Sequence, residues 1–177
     1  MAGTNGKQKT ARDMILSLGL IVLAAWVIYL FIPHDDSEPD LKPVDYRVEL
    51  LTAQRAASYP VAAPEGLPDS WKATSVRYQG QEGEAWHLGF HSPRGEYVAV
   101  EQSTQARAKY IDETSRGGTE TKVTQEIDGR NWTRYTGGRY SALVLDGADG
   151  KQGSTTMVIG TGSFGELTKM ATALKLD

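Results

Sequence analysis

The run Gly160-Thr-Gly162-Ser-Phe-Gly165 has the G-x-G-x-x-G spacing that lets a backbone approach a pyrophosphate at a helix N-terminus. A dinucleotide unit also needs a second parallel strand and an acidic residue about 20 positions on to hold a ribose. Neither is read before Asp177. The same residues are expected to turn the chain, with Ser163 and Glu166 forming a Ser-x-x-Glu capping box. His87 and His91 have the spacing of two metal ligands on a helix, but Trp86, Leu88 and Phe90 alternate with them, so the segment reads as a strand. Four strand residues separate the imidazoles by about 13 Å, too far to share one ion. They are expected on the solvent face, with no metal. A serine hydrolase would require a serine, a histidine and a carboxylate in hydrogen-bonded order. There is no G-x-S-x-G, and besides the strand pair the chain has only His34, so no such set is legible. Gly150-Lys151 resembles the tail of a phosphate loop, yet Gln152 stands where Ser or Thr must hold magnesium. Asn131-Trp132-Thr133 is a glycosylation sequon, which matters only in a host that reads it. The acidic pairs Glu82/Glu84 and Asp112/Glu113 are expected to be solvated. The residues therefore point to no enzyme and no cofactor.

Aromatic side chains remain as binding candidates, because they offer large rigid area at low entropy cost. Trp71 and Trp86 are expected in the core, Trp86 on one face with Leu88 and Phe90. Trp132, flanked by Arg130 and Arg134 on a hairpin read as an edge, is expected to be exposed. Trp132, Arg130 and Arg134 are thus the candidate binding residues.

Positioning begins with the membrane. Met14 to Ile32 contains no charge, and as a helix it would span about 28 Å, close to the hydrocarbon core of a bilayer. Lys7, Lys9 and Arg12 precede it, and Asp35, Asp36, Glu38 and Asp40 follow, so the N-terminus is expected to stay cytoplasmic. Trp26, Tyr29 and Phe31 fall in the outer half, as membrane-boundary aromatics. Signal-peptide apolar regions run about 7–15 residues to a small-residue cleavage site. This run is longer and leaves through Ile32-Pro33-His34, which favours an uncleaved anchor. Gly19 has Leu23 four positions on, so nothing argues for close helix pairing. The chain carries 19 basic and 22 acidic residues, a net charge of −3, and no cysteine. With the basic cluster before the helix removed, the rest is more acidic still, which repels nucleic acid. Disulfides, thiol nucleophiles and Cys-ligated zinc are excluded.

The expected organisation is residues 1–13 cytoplasmic, 14–32 transmembrane, 33–43 an acidic proline-containing tether, and 44–177 one extracytoplasmic domain. Val44, Tyr46, Val48 and Leu50 alternate with charged residues, the period of a half-buried strand, which would or would not join the main sheet. Leu51–Ala57 reads as a short helix ending before Pro60. Lys72–Tyr78, Ala85–Phe90 and Tyr97–Gln102 read as antiparallel strands, and Thr104–Arg116 as a helix with Ala106, Tyr110 and Ile111 inward, stopped by Gly117-Gly118. Lys122–Ile127 and Arg130–Tyr135 flank Asp128-Gly129, a type I′ turn dipeptide. Tyr140–Leu145 and Ser154–Ile159, joined through Asp149-Gly150, are apolar on both faces and belong near the sheet centre. Phe164–Leu174 closes as a helix with Leu167, Met170, Ala171 and Leu174 on one stripe. The fold class is α+β: an N-terminal transmembrane helix, then one antiparallel sheet of about seven strands with helices packed on it.

Pro64-Glu-Gly-Leu-Pro-Asp-Ser-Trp71, Trp86-His-Leu-Gly-Phe90, Tyr97-Val-Ala-Val-Glu-Gln-Ser103 and Gly129-Arg-Asn-Trp132, behind an N-terminal anchor, resemble an actinobacterial family of single-pass envelope proteins known as domain of unknown function 4245. The resemblance covers about residues 44–177. It implies a bacterial plasma membrane and an outward-facing domain, and supplies no activity. The order of elements is also similar to small Mog1/PsbP-type domains, an analogy of fold alone. The expected function is an anchored extracytoplasmic binding or accessory module of the cell envelope. Its partners would be the bilayer, through residues 14–32, and an envelope protein. The alternative is a small-ligand binder with an apolar pocket between sheet and helix.

Overall fold

A computed structural model describes residues 5–31, 43–146 and 153–176. The chain divides into two compact units, Met1–Asp40 and Leu41–Asp177. The first contains α1 (Asn5–Phe31), in which Ala11–Leu30 is long and apolar enough to cross a membrane. None of that span is buried by protein, as expected of a helix whose only solvent would be lipid. Ser17, its polar exception, donates its hydroxyl to the Met14 carbonyl at 2.9 Å and so leaves no free donor. Trp26 and Tyr29 stand out from the helix surface. The Phe31 side chain and the tether expected at 33–42 lie outside the described residues.

The second unit corrects the reading of residues 44–50. Among the described residues one backbone bond, from Val44 N–H to the Ala73 carbonyl at 2.8 Å, ties this segment to a strand. The chain then enters α2 (Arg47–Ala56), with Asp45 Oδ1 accepting from Arg47 N–H. Alternation misled because Tyr46, Leu50, Ala53 and Ala57 also recur at helical spacing, and these pack on the core. Val48 and Leu51, 73% and 53% exposed, lie off that stripe.

Seven strands then form one wholly antiparallel sheet: β2 (Lys72–Gln79), β3 (Ala85–His91), β4 (Tyr97–Ser103), β5 (Thr119–Ile127), β6 (Arg130–Thr136), β7 (Ser141–Leu145) and β8 (Thr155–Gly160). Their order is β2-β3-β4-β8-β7-β6-β5. The doubly apolar segments β7 and β8 sit inside the sheet, as expected. Asp128 and Gly129 take φ of 51° and 73°, the left-handed pair that a type I′ hairpin turn requires. The β7–β8 link through Asp149-Gly150 lies outside the described residues. A separate two-stranded sheet pairs β1 (Ala63–Pro64) with β9 (Leu174–Lys175).

Each sheet face has its own core. Trp86, Leu88, Phe90, Val100, Leu143 and Val158 meet Leu167, Met170 and Ala171 of α4 (Phe164–Ala173). The Ser163–Glu166 capping box opens α4 as expected. On the other face Ala99, Ala142, Val144, Met157 and Ile159 meet Tyr110 and Ile111 of α3 (Arg107–Ser115). α3 starts three residues later than expected, so Ala106 is exposed rather than inward. Ser103 Oγ and Thr104 N–H both donate to the Gly83 carbonyl, and Gln105 Nε2 donates to that of Glu82. These bonds hold residues 103–105 against the β2–β3 turn, in competition with the helix.

Candidate functional site

On the α3 face, a cleft of about 490 Å³ opens between α3 and the β2–β3–β4 side of the sheet. Strand pairing places its walls: His87 lies opposite Glu101 and beside Arg77 in register, all on one face. Tyr97 and Tyr140 form an aromatic pair at 6.0 Å, and α3 contributes Tyr110, with Arg116 from its C-cap.

From the cleft a hydrogen-bonded chain runs across three adjacent strands, through the lining residues Glu101 and His87 to Ser75, which lies beside His87 just outside the lining. Glu101 Oε1 is 2.6 Å from His87 Nδ1, and His87 Nε2 is 2.8 Å from Ser75 Oγ. An ionised carboxylate can only accept, so Nδ1–H donates to Glu101; in the neutral imidazole Nε2 then accepts from the Ser75 hydroxyl. Tyr110 donates to the second Glu101 oxygen at 3.3 Å. Burial, then the negative charge of Glu101, pushes the Tyr110 phenol well above its usual range, so it remains a donor. Tyr97 is raised likewise, by burial first and then by Glu101 and Tyr140, against a lowering by Arg77. The side chains of His87 and Glu101 are only 17% and 12% exposed. His87 is therefore no freely solvated strand residue; Glu101 holds it.

Gly89 makes this chain possible. A Cβ there would lie 2.4 Å from Ser75 Oγ and 3.3 Å from His87 Nε2. Among the described residues no three His, Asp or Glu side chains could hold one metal ion. Ser75, His87 and Glu101 come together although no serine–histidine–carboxylate set was legible in the sequence. One signal was available: folding the two strands about Pro93–Gly95 sets His87 opposite Glu101. The approach of Ser75 depends on the register shift between Ala73 and Ser75, which no pattern announces.

The aromatic candidates are placed elsewhere. Trp132 is 1% exposed, so its expected exposure is corrected: β6 lies between β5 and β7, and β5 forms the edge. Its Nε1 has no partner among the described residues. Arg134 donates from Nε and Nη2 to Gln125 Oε1 and lies 4.5 Å above the Phe164 ring, linking β5 to α4. Arg130 is half-buried on the same strand. Trp71 and Trp86 are core residues as expected, Trp86 donating Nε1–H to the Ala62 carbonyl. Glu84 is not simply solvated: its carboxylate accepts from Ser58 N–H at 2.9 Å and Ser58 Oγ at 2.5 Å, and these bonds hold its pKa below the usual value.

A family model described as a protein of unknown function, DUF4245, matches residues 7–174, from the first turn of α1 to the start of β9. No curated protein and no solved structure matches the chain. The analogy with Mog1/PsbP-type domains thus has no solved structure behind it.

Proposed function

The chain belongs to the DUF4245 family of proteins of unknown function, and from that premise we propose an anchored module of the bacterial envelope that receives a polar ligand in the cleft between α3 and β2–β3–β4. The observation that carries this reading is the cleft itself: three tyrosines, Arg77, Arg116 and a histidine–carboxylate pair converge on about 490 Å³. Convergent polar groups with rigid aromatic walls are the usual make-up of a ligand site. The lining mixes polar and apolar surface, where the alternative reading expects an apolar pocket between sheet and helix. α1 supplies the anchor, and Lys7, Lys9 and Arg12 before the span favour a cytoplasmic N-terminus. Confinement near the bilayer raises the local concentration of the cleft toward other envelope components.

In-cell photocrosslinking tests this reading. A photoreactive residue at Thr114, on the cleft wall, should capture a discrete envelope component; one at exposed Thr172 on α4 should not. Equal capture at both positions, or none at Thr114, would overturn it. External protease on spheroplasts should remove the folded domain and spare a short membrane-protected fragment.

A further inference from the structure

We propose that Ser75 is a nucleophile toward acyl groups, with His87 as its general base and Glu101 as the group that orients and charge-stabilises the imidazole. The inference rests on the cleft being the functional site and adds chemistry at its margin, where Ser75 adjoins the lining residue His87. Three observations support it independently of any motif. The bonds run in the order a nucleophile needs, Ser75 Oγ to His87 Nε2 at 2.8 Å and His87 Nδ1 to Glu101 at 2.6 Å. In the neutral imidazole, with Nδ1–H given to Glu101, Nε2 is the nitrogen that takes a proton. Gly89 vacates the volume in which any Cβ would collide with the Ser75 hydroxyl.

The residues sit on neighbouring strands rather than on a strand–helix elbow, so no G-x-S-x-G is required. Ser75 is partly exposed and lies on the side of His87 away from Glu101. Arg77, two positions along the same strand face and opposite His87 in register, is the cation nearest in sequence to the reacting hydroxyl. Its guanidinium can reach charge developing on a carbonyl oxygen near Ser75.

The chemistry closes with an ester and water. Ser75 Oγ bonds to the acyl carbon, the carbonyl π pair moves to oxygen, and the Oγ proton passes to His87 Nε2. As the carbonyl re-forms, the ester C–O bond breaks and Nε2 returns the proton to the departing alkoxide, releasing an alcohol. Water then gives a proton to Nε2 and its oxygen to the acyl carbon. Ser75 Oγ leaves and regains that proton, releasing the carboxylic acid. The substrate class is an ester of a polar envelope molecule.

The test uses the full-length chain in lipid nanodiscs with a fluorophosphonate probe, the site read by peptide mass. The expected result is an adduct on Ser75 that S75A lacks. Labelling should slow about 100-fold or more in H87A, the scale of a lost general base, and recover when free imidazole is added. E101Q should slow it about tenfold or more, the scale of a lost orienting partner. Absence of an adduct on wild-type Ser75 overturns the proposal without recourse to any variant. A Ser75 adduct forming equally fast in folded H87A or H87Q would also overturn it, since the serine would then be merely exposed. Failure here with Thr114 crosslinking intact would remove the chemistry and leave the binding site. Labelling without crosslinking would remove the captured ligand and leave an activated serine.

Discussion

Trp86 and Trp132 are equally buried but differently partnered, and their replacement should separate packing from hydrogen bonding. W86F removes a donor and strands the Ala62 carbonyl, whereas W132F removes an N–H that has no partner among the described residues. Leaving a buried group unpaired costs about 1–3 kcal/mol, so W86F should be the more destabilising by about that margin in urea titrations. Equal losses would show that ring volume alone matters. Glu166 gives a pH-dependent counterpart. Burial pushes its carboxyl up, but bonds from Ser92 Oγ, Ser163 N–H and Ser163 Oγ, with the charge of Arg94, hold it below the ordinary 4.5. A carboxyl lowered on folding contributes stability above its unfolded value and loses it as pH falls through the folded one. The stability advantage of wild type over E166Q should therefore be full at neutral pH and shrink below pH 4.5, as read from urea midpoints across an acid series. In the cleft, G89A should cut Ser75 labelling about tenfold or more, the scale of a disturbed second partner, while thermal melting confirms that the sheet persists.

At the scale of elements, caps and turns carry separable increments. S163A should cost about 1 kcal/mol, the usual worth of a side-chain N-cap, measured by thermal unfolding. Ser163 was legible because a capping box is local: cap, acidic partner and apolar stripe lie within a few residues. The Asp128-Gly129 hairpin and the doubly apolar β7 and β8 were legible for the same reason. The part of α2 from Leu51 on was legible as a helix, but its first turn was not, because Tyr46 and Leu50 satisfy period two and period four at once, and only the core they meet decides between them. Trp132 failed differently. Its burial depends on β5 rather than β6 forming the sheet edge, which is a property of strand order, and strand order is not written within either strand. The Ser75–His87–Glu101 chain combines both difficulties: a readable hairpin brings two members together, and an unreadable bulge brings the third.

For the whole molecule, α1 is the one helix among the described residues long and apolar enough to cross a membrane. L23R places a charge near the middle of the span, at about 2.5–3.5 kcal/mol for a central arginine. The variant should leave the carbonate-resistant membrane fraction while the domain keeps its melting temperature. Retention in that fraction would show that something besides α1 holds the chain to the membrane. Strand order has a further consequence, in time rather than space. β8 alone joins β2-β3-β4 to β7-β6-β5, and β1 waits for β9. A chain made from its N-terminus therefore presents one half-sheet with an open edge along β4 well before residues 155–160 arrive to close it. Until then neither half has its full core. The expected outcome is one late folding step, taken once β8 and β9 have been made.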